Sequence, residues 1–228
     1  MQRHGHFSFL KLFVLLSCAT VWFGCAKPVL PQRVVRVAVL DGLATYPVDP
    51  GGNVKQEGWW LGSQDRYLSS TTGIEVAEAL ARGMARLPGV AVQSRDDQRI
   101  YMAEKERRLS RAYPSLKSPE RKRLLLMQNP LDYGRDLNVD FVLRPEVLKA
   151  STVTNRTFSW WFSDMHVIVE VWRVSPAEKV ATLTFRKKEF FASQVALADR
   201  VARSTAEVSR RTNLFGVETP LSAPEPVP

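Results

Sequence analysis

The feature that most limits what this chain can become is a change of apolar period along it. From Val34 to Leu40, the residues Val35, Val37 and Val39 fall on alternate positions, which is the period of a half-buried strand. Between Ile74 and Leu87 the period becomes helical, with Ile74, Ala77, Leu80, Ala81, Met84 and Leu87 on one face. Thr72 and Glu75 stand ahead of that run as a capping box, and Pro88-Gly89 closes it. Alternation then returns at Val139, Phe141 and Leu143, at Val167, Val169 and Val171, and at Leu183 and Phe185. A chain that switches in this order predicts a mixed α/β fold: a largely antiparallel sheet with helices packed on it.

The remaining elements fit between these. Val90 to Gln93 reads as a short second strand, and Asp96 or Asp97 caps a charged helix running to about Ala112. Ser118 before Pro119 and Asn129 before Pro130 each open a helix whose first turn tolerates the missing proline amide, the second with Leu131 and Leu137 inward. Pro145 predicts an edge position or a bulge in its strand, and the last three strands pair as an antiparallel meander. Ser193 caps a final helix through Arg211, with Leu197, Val201 and Val208 on one side. Asp41 to Ser70 holds glycines, Pro47, Pro50 and the pair Trp59-Trp60 with no sustained period, so it reads as a long ordered loop of the kind that carries function.

The amino terminus is a different kind of segment. Arg3 and Lys11 precede an apolar run from Leu12 to Phe23, and Gly24 then precedes Cys25, the order of a secretory signal. The run has 12 residues, against the ~20 that a helix needs to cross a bilayer. Gly24-Cys25 resembles the lipobox of bacterial lipoproteins, which implies a diacylglyceryl Cys25 at the mature amino terminus. Trp22 stands where that box usually has Leu, and Leu15, Leu16 and Ser17 before Cys18 match its letters better. Cleavage at Cys18 would leave an apolar core of five residues after Lys11, so Cys25 is favoured. Lys27 follows Ala26 without the Asp that marks inner-membrane retention, which points to the periplasmic face of the outer membrane. The expected organisation is signal 1–24, lipidated cysteine and tether 25–33, one α/β domain 34–213, and a Pro-rich disordered tail 214–228.

With residues 1–24 removed, 30 basic residues face 23 acidic ones, a formal charge of +7. The basic residues concentrate from Arg99 to Arg123 and from Arg186 to Arg211, either as solvated helix faces or as attraction for anionic lipid head groups or an acidic polymer. An exported chain does not meet DNA, so no nucleic-acid partner is expected. One cysteine and one histidine, His166, remain beyond residue 24, too few for a His/Cys metal cluster or a disulfide framework. No Walker loop, G-x-S-x-G or G-x-G-x-x-G occurs, so neither catalysis nor a cofactor is expected. His166 near Ser163 and Asp164 is adjacency in sequence, which is not triad geometry. Glu57, Asp65, Asp140 and Glu170 keep open a minor reading as an envelope hydrolase with paired carboxylates, although each also reads as a surface or capping residue.

The strand ending at Leu40-Asp41, the helix closing on LPGVAVQSRDD and the segment GRDLNVDFVLRPEV followed by a meander together resemble the curli-secretion lipoprotein (CsgG) superfamily, which is related to the TolB amino-terminal domain. Leu137, Val139, Asp140, Phe141, Val142 and Leu143 sit where that superfamily has its L-G-x-x-L-x-A-D-Y-V-L-x-G-x-V segment. Gly134 is displaced from the usual L-G, and Arg144-Pro145 replaces the small residue and glycine after the strand. The resemblance implies a non-enzymatic, membrane-tethered envelope protein that assembles into homo-oligomers and helps export or build a surface polymer. It also implies an adaptor for a cell-wall synthesising enzyme as the alternative, although the eight residues between Cys25 and Val34 span at most about 30 Å and give no long reach.

Aromatic residues supply the candidate contact site. Trp59 and Trp60, and Phe158, Trp160, Trp161 and Phe162 around a turn at Asn155-Arg156, fit either a satellite core or an oligomer or membrane-interface contact. Adjacent strand residues point to opposite faces, so one tryptophan of each pair can be buried while the other is presented. The arm Ser151 to Thr154 is short and polar, which argues against the ~9 to 11 residues needed by a membrane-spanning strand.

Overall fold

One strand organises the molecule. In the computed structural model, which describes residues 34–44, 55–59, 62–67, 72–155 and 158–217, the strand β6 (Phe141–Asn155) runs through the middle of an eight-stranded sheet. Along one side it pairs in turn with β1 (Val35–Val39) and β2 (Leu43–Ala44), both parallel, and then with β4 (Gly62–Tyr67), antiparallel. Along the other side it pairs with β7 (Trp160–Arg173) for its whole length, and β8 (Glu178–Phe190) completes the meander. The parallel strand β5 (Val90–Val92) flanks β1, and β3 (Lys55–Trp59) flanks β4. The mixed, largely antiparallel reading therefore holds, and the meander is as expected.

Two helices cover one face. Helix α1 (Thr72–Met84) begins where the capping pair placed it, and α5 (Gln194–Arg211) starts at Ser193, whose Oγ accepts from the Ala196 amide at 3.1 Å. They bury Val76, Ala77, Leu80, Met84, Leu197, Val201 and Ala202 against Val37, Val39, Leu143, Val147, Met165, Val167, Val169 and Val171. At about 1.5–3 kcal/mol per fully buried aliphatic side chain, this is the dominant stabilising cluster. Ile74, expected inward, is exposed, and Val76 takes the buried place because α1 touches both the sheet and α5. Gly42 and Gly73 let the β1–β2 connection cross the start of α1: the Gly42 amide donates to the Gly73 carbonyl at 3.1 Å, and a Cβ on Gly42 would lie 2.7 Å from that oxygen.

Among the described residues, helices cover the other face at one end. Helices α2 (Arg95–Ala112) and α4 (Pro130–Asp136) enclose Ala38, Leu40, Tyr133, Val139 and Val142, with Tyr101, Met102, Leu137 and Trp172 packed around them. Gly134 brings α4 onto the sheet, since a Cβ there would lie 2.8 Å from Val142 Cγ2. Tyr133, which the apolar pattern did not single out, is the buried anchor, and burial pushes its phenol pKa up. Its hydroxyl donates to Gln98 Oε1 at 2.8 Å. Gln98 Oε1 also accepts from Arg95 at 2.9 Å, and Arg95 further reaches Asp41, Glu78 and the Val39 carbonyl. Helix α3 (Ser118–Leu126) packs back along α2 through Leu125 and the Ser118–Glu106 hydrogen bond of 2.8 Å.

Four expectations change. The stretch 41–70 is not one loop, because β2, β3 and β4 lie within it. Ser94, rather than Asp96 or Asp97, caps α2, and Lys117 rather than Ser118 stands at the start of α3 with its amide donating to Glu120 at 2.8 Å, whereas Asn129 does cap α4. Pro145 is in a central strand, not at an edge. The Leu40 amide donates to the Leu143 carbonyl, so the alternating backbone turns the Pro145 nitrogen toward the break between β1 and β2, where no donor is needed. The register shift falls slightly further on, at Val147/Lys149. Finally, residues 214–217 of the expected tail pack on the core, with Phe215 buried and its ring 5.1 Å from that of Phe141.

Candidate functional site

The sheet faces fix where each aromatic side chain goes. Met165, Val167, Val169 and Val171 point to the α1–α5 core, so Trp161 and Ser163 share that face, while Trp160, Phe162, Asp164, His166 and Ile168 lie on the opposite one. Register pairs Phe162 with Phe190 and Asp164 with Lys188. The aromatic side chains therefore collect at the β6–β7 turn end on both faces. Phe190 meets Phe162 at 5.1 Å and Trp160 at 6.0 Å between ring centroids, and Phe191 meets Trp161 at 5.0 Å edge-on. Phe158, Trp161, Phe190 and Phe191 stay exposed, at 60%, 39%, 59% and 60%, and Trp161, Phe191 and Phe190 are joined ring to ring, which leaves an apolar surface rather than a filled core.

Backbone and polar groups hold this surface in place. Phe191 has φ 59°, a left-handed conformation that a bulky residue rarely adopts, and its amide donates to the Trp161 carbonyl at 3.0 Å. Such conformations cost of order 1–3 kcal/mol and cluster where a chain must aim a side chain. On the core face, Ser163 Oγ donates to the Ala192 carbonyl at 2.6 Å and lies 2.8 Å from Thr152 Oγ1, which accepts from Gln194 at 3.0 Å. This ladder ties the start of α5 to the hairpin.

On the other face, Asp164 is nearly buried and meets Lys149 at 2.8 Å, Arg186 at 3.6 Å and Lys188 at 3.9 Å. Burial pushes its pKa up, but the Lys149 hydrogen bond and the charges of Lys149, Lys188 and Arg186 outweigh burial and hold the carboxyl below its ordinary 3.8. Three cations on one carboxylate leave a positive excess beside Phe162 and Phe190. The chemistry on offer is stacking and charge pairing. Ser163 points away from Asp164 and His166, so the three form no triad. Asp140 Oδ2 accepts the Arg36 amide at 2.8 Å, and Glu170 bonds Trp172 Nε1 and Lys179 at 3.1 Å each, so both carboxylates have structural partners. Among the described residues, no group of three His, Cys, Asp or Glu is placed to hold a metal ion.

Of the residues singled out in the sequence, Trp160, Trp161 and Phe162 come together here, and Phe158 is exposed at the turn with its amide donating to Asn155 Oδ1 at 3.0 Å. Trp59 lies in β3 opposite Gly62, two strands from the hairpin, with its side chain outside the described residues, as are Trp60 and Cys25 altogether. Phe190 and Phe191 were missed. The signal was present, since the doublet sits directly before the Ser193 cap and the meander register brings it level with Phe162.

A mixed α/β domain with an unfilled aromatic end is the class these features define. No family model matches the chain. No curated protein matches it either. Among solved structures it is similar to a PelC dodecamer from Paraburkholderia phytofirmans (13% identity, TM-score 0.41, 78% of this chain and 87% of that one). It is also similar to lipoprotein GNA1162 from Neisseria meningitidis (14%, 0.43, 78% and 99%) and to the LpoB C-terminal domain from Escherichia coli (10%, 0.35, 76% and 94%). Likenesses at these levels are too low to transfer a function.

Proposed function

We propose that this is an exported lipoprotein, anchored through Cys25 to the periplasmic face of the outer membrane, that works without catalysis as an assembly or secretion accessory. On this reading it presents the aromatic end to other copies of itself within an envelope complex. The observation that carries the reading is the placement of that end. The chain enters the fold through β1, whose Arg36 meets Asp140 just ahead of β6, whereas the aromatics lie at the finish of that 15-residue strand. At ~3.3 Å per residue that is about 45 Å, more than the tether of at most about 30 Å. The aromatic end thus lies a full strand length from the point where the chain enters the domain, which favours a protein contact over a membrane-interface anchor. Arg186, Lys188 and Lys149 beside the rings give that contact a polar, basic rim suited to an acidic partner surface.

The test is the mass of the detergent-solubilised particle by light scattering, with the lipid on Cys25 read by mass spectrometry. A lipidated closed oligomer that Trp161→Ser with Phe190→Ser reduces to monomers is the expected result. A lipidated monomer at all concentrations would overturn the assembly reading in favour of a single-copy adaptor, and an unlipidated soluble chain would overturn the anchor.

A further inference from the structure

We propose that the α2–α3 helical hairpin is a second membrane contact, laying cationic and apolar side chains on anionic phospholipid head groups beside the tether. Placement comes first. Arg95, at the start of α2, reaches the Val39 carbonyl at the far end of β1, whereas ten residues on, Lys105 pairs with Asp136 at 2.8 Å. Tyr101 donates to the same Asp136 carboxylate at 2.6 Å. Asp136 ends α4 just ahead of β6, so α2 runs back toward the end of the domain where the chain enters. From Lys105 it continues to Ala112, about 10 Å at 1.5 Å per residue. Helix α3 returns alongside through Ser118–Glu106 and the 3.4 Å contact of Gln128 with Met102. The hairpin turn therefore lies at the tether end.

The second observation is what the hairpin exposes. Ile100, Glu104, Arg107, Arg108 and Arg111 line one shallow cleft along α2. Arg108 is paired with Glu104, whose carboxylate also feels the charge of Arg107, but Arg107, Arg111, Lys122 and Arg123 make no ion pair among the described residues. Beside these cations Ile100, Tyr113, Leu124 and Met127 are 67%, 56%, 48% and 53% exposed. An element that turns both unpaired cations and large apolar side chains outward lowers its free energy at a charged, amphipathic interface. The attraction of a Lys or Arg to an anionic leaflet falls off within a Debye length of roughly 8 Å, so the surface must come close. The short tether keeps it close. The inference rests on the proposed anchor only for that proximity.

Cys25→Ser in the chain lacking residues 1–24 removes every acyl chain, so any bilayer binding is then the domain's own. Its sedimentation with vesicles of phosphatidylglycerol in phosphatidylcholine, against phosphatidylcholine alone, reads the proposal independently of the anchor. The expected result is binding to the anionic vesicles only, weakened about tenfold or more by R107E/R111E/K122E/R123E. The same charge change outside the hairpin, at R86E just after α1, K187E in β8 and R203E/R210E in α5, should leave most of it. Equal loss in both variants would overturn the proposal, as net charge alone would then explain the binding. So would retention on polygalacturonate without vesicle binding, which would reassign the face to an acidic glycan. Should the first variant fail to fold, amide exchange of the unsubstituted face decides. Slowing across 107–127 on anionic vesicles supports the contact, and unchanged exchange sinks it.

Discussion

The two ends of the sheet are built on opposite principles. At the tether end, Tyr133, Val139, Val142 and Phe215 are buried under helices, and the outward surface is charged, with Arg107, Arg111, Lys122 and Arg123 turned to solvent. At the hairpin end the aromatics are outside and the polar groups within: Asn155, Ser163 and Asp164 are buried while Phe158, Phe190 and Phe191 are exposed. A lone domain optimised for stability would place these the other way round. The inversion marks the hairpin end as a surface completed by something else, whereas at the tether end the sheet itself is covered within the chain and the apolar side chains turned outward are those of the α2–α3 hairpin.

Three substitutions or conditions break or sharpen that contrast. Gly73→Val should have the largest effect, about 3 kcal/mol or more of lost stability, because its side chain would overlap the Gly42 backbone. Urea unfolding measures it, and Trp172 near the tether end should report the same midpoint as Trp160 and Trp161, since one sheet carries all three. Separate midpoints would mean that the two ends fold as independent units. Trp161→Ser with Phe190→Ser should cost about 2 kcal/mol, as Phe190 is 59% and Trp161 39% exposed, while abolishing self-association. A large stability loss with association intact would make the aromatic end ordinary core.

Acid should have the smallest effect. Asp164 titrates below its unfolded value, so its contribution is fully present above about pH 4 and is lost as pH falls through the lowered folded value. Thermal melts at pH 3 and pH 6 should differ by about 1 kcal/mol more in the parent than in Asp164→Asn. Identical differences would remove Asp164 from the account of how the hairpin end is held.

Much of the fold was legible because its core strands and helices carry their own period: Val35 to Val39, Ala77 to Met84, and Val167 to Val171 each bury a face that one element defines. The hairpin of β3 and β4 was not, because Lys55 to Trp59 and Gly62 to Tyr67 are mostly polar or glycine and owe their strand state to pairing with β6. Pro145 misled for a related reason, since a central strand can tolerate proline only where its neighbour is interrupted, and no local pattern records that interruption. At the site, Phe158 to Phe162 stood out as a cluster in sequence. Phe190 and Phe191 belong to it only through the register of two successive hairpins, and Asp164 matters only because that register brings Lys149, Arg186 and Lys188 to one carboxylate.

The length of β6 also sets how the domain carries load. A pull on the hairpin end against the tether acts along the strands, and antiparallel hydrogen bonds stand perpendicular to them, so the β6–β7 ladder is strained in shear with all its rungs sharing the force. The tether, however, is continuous with β1, which meets β6 over three register pairs and β5 over three more. Under tension β1 is therefore the mechanical fuse of the molecule, parting before the long hairpin does.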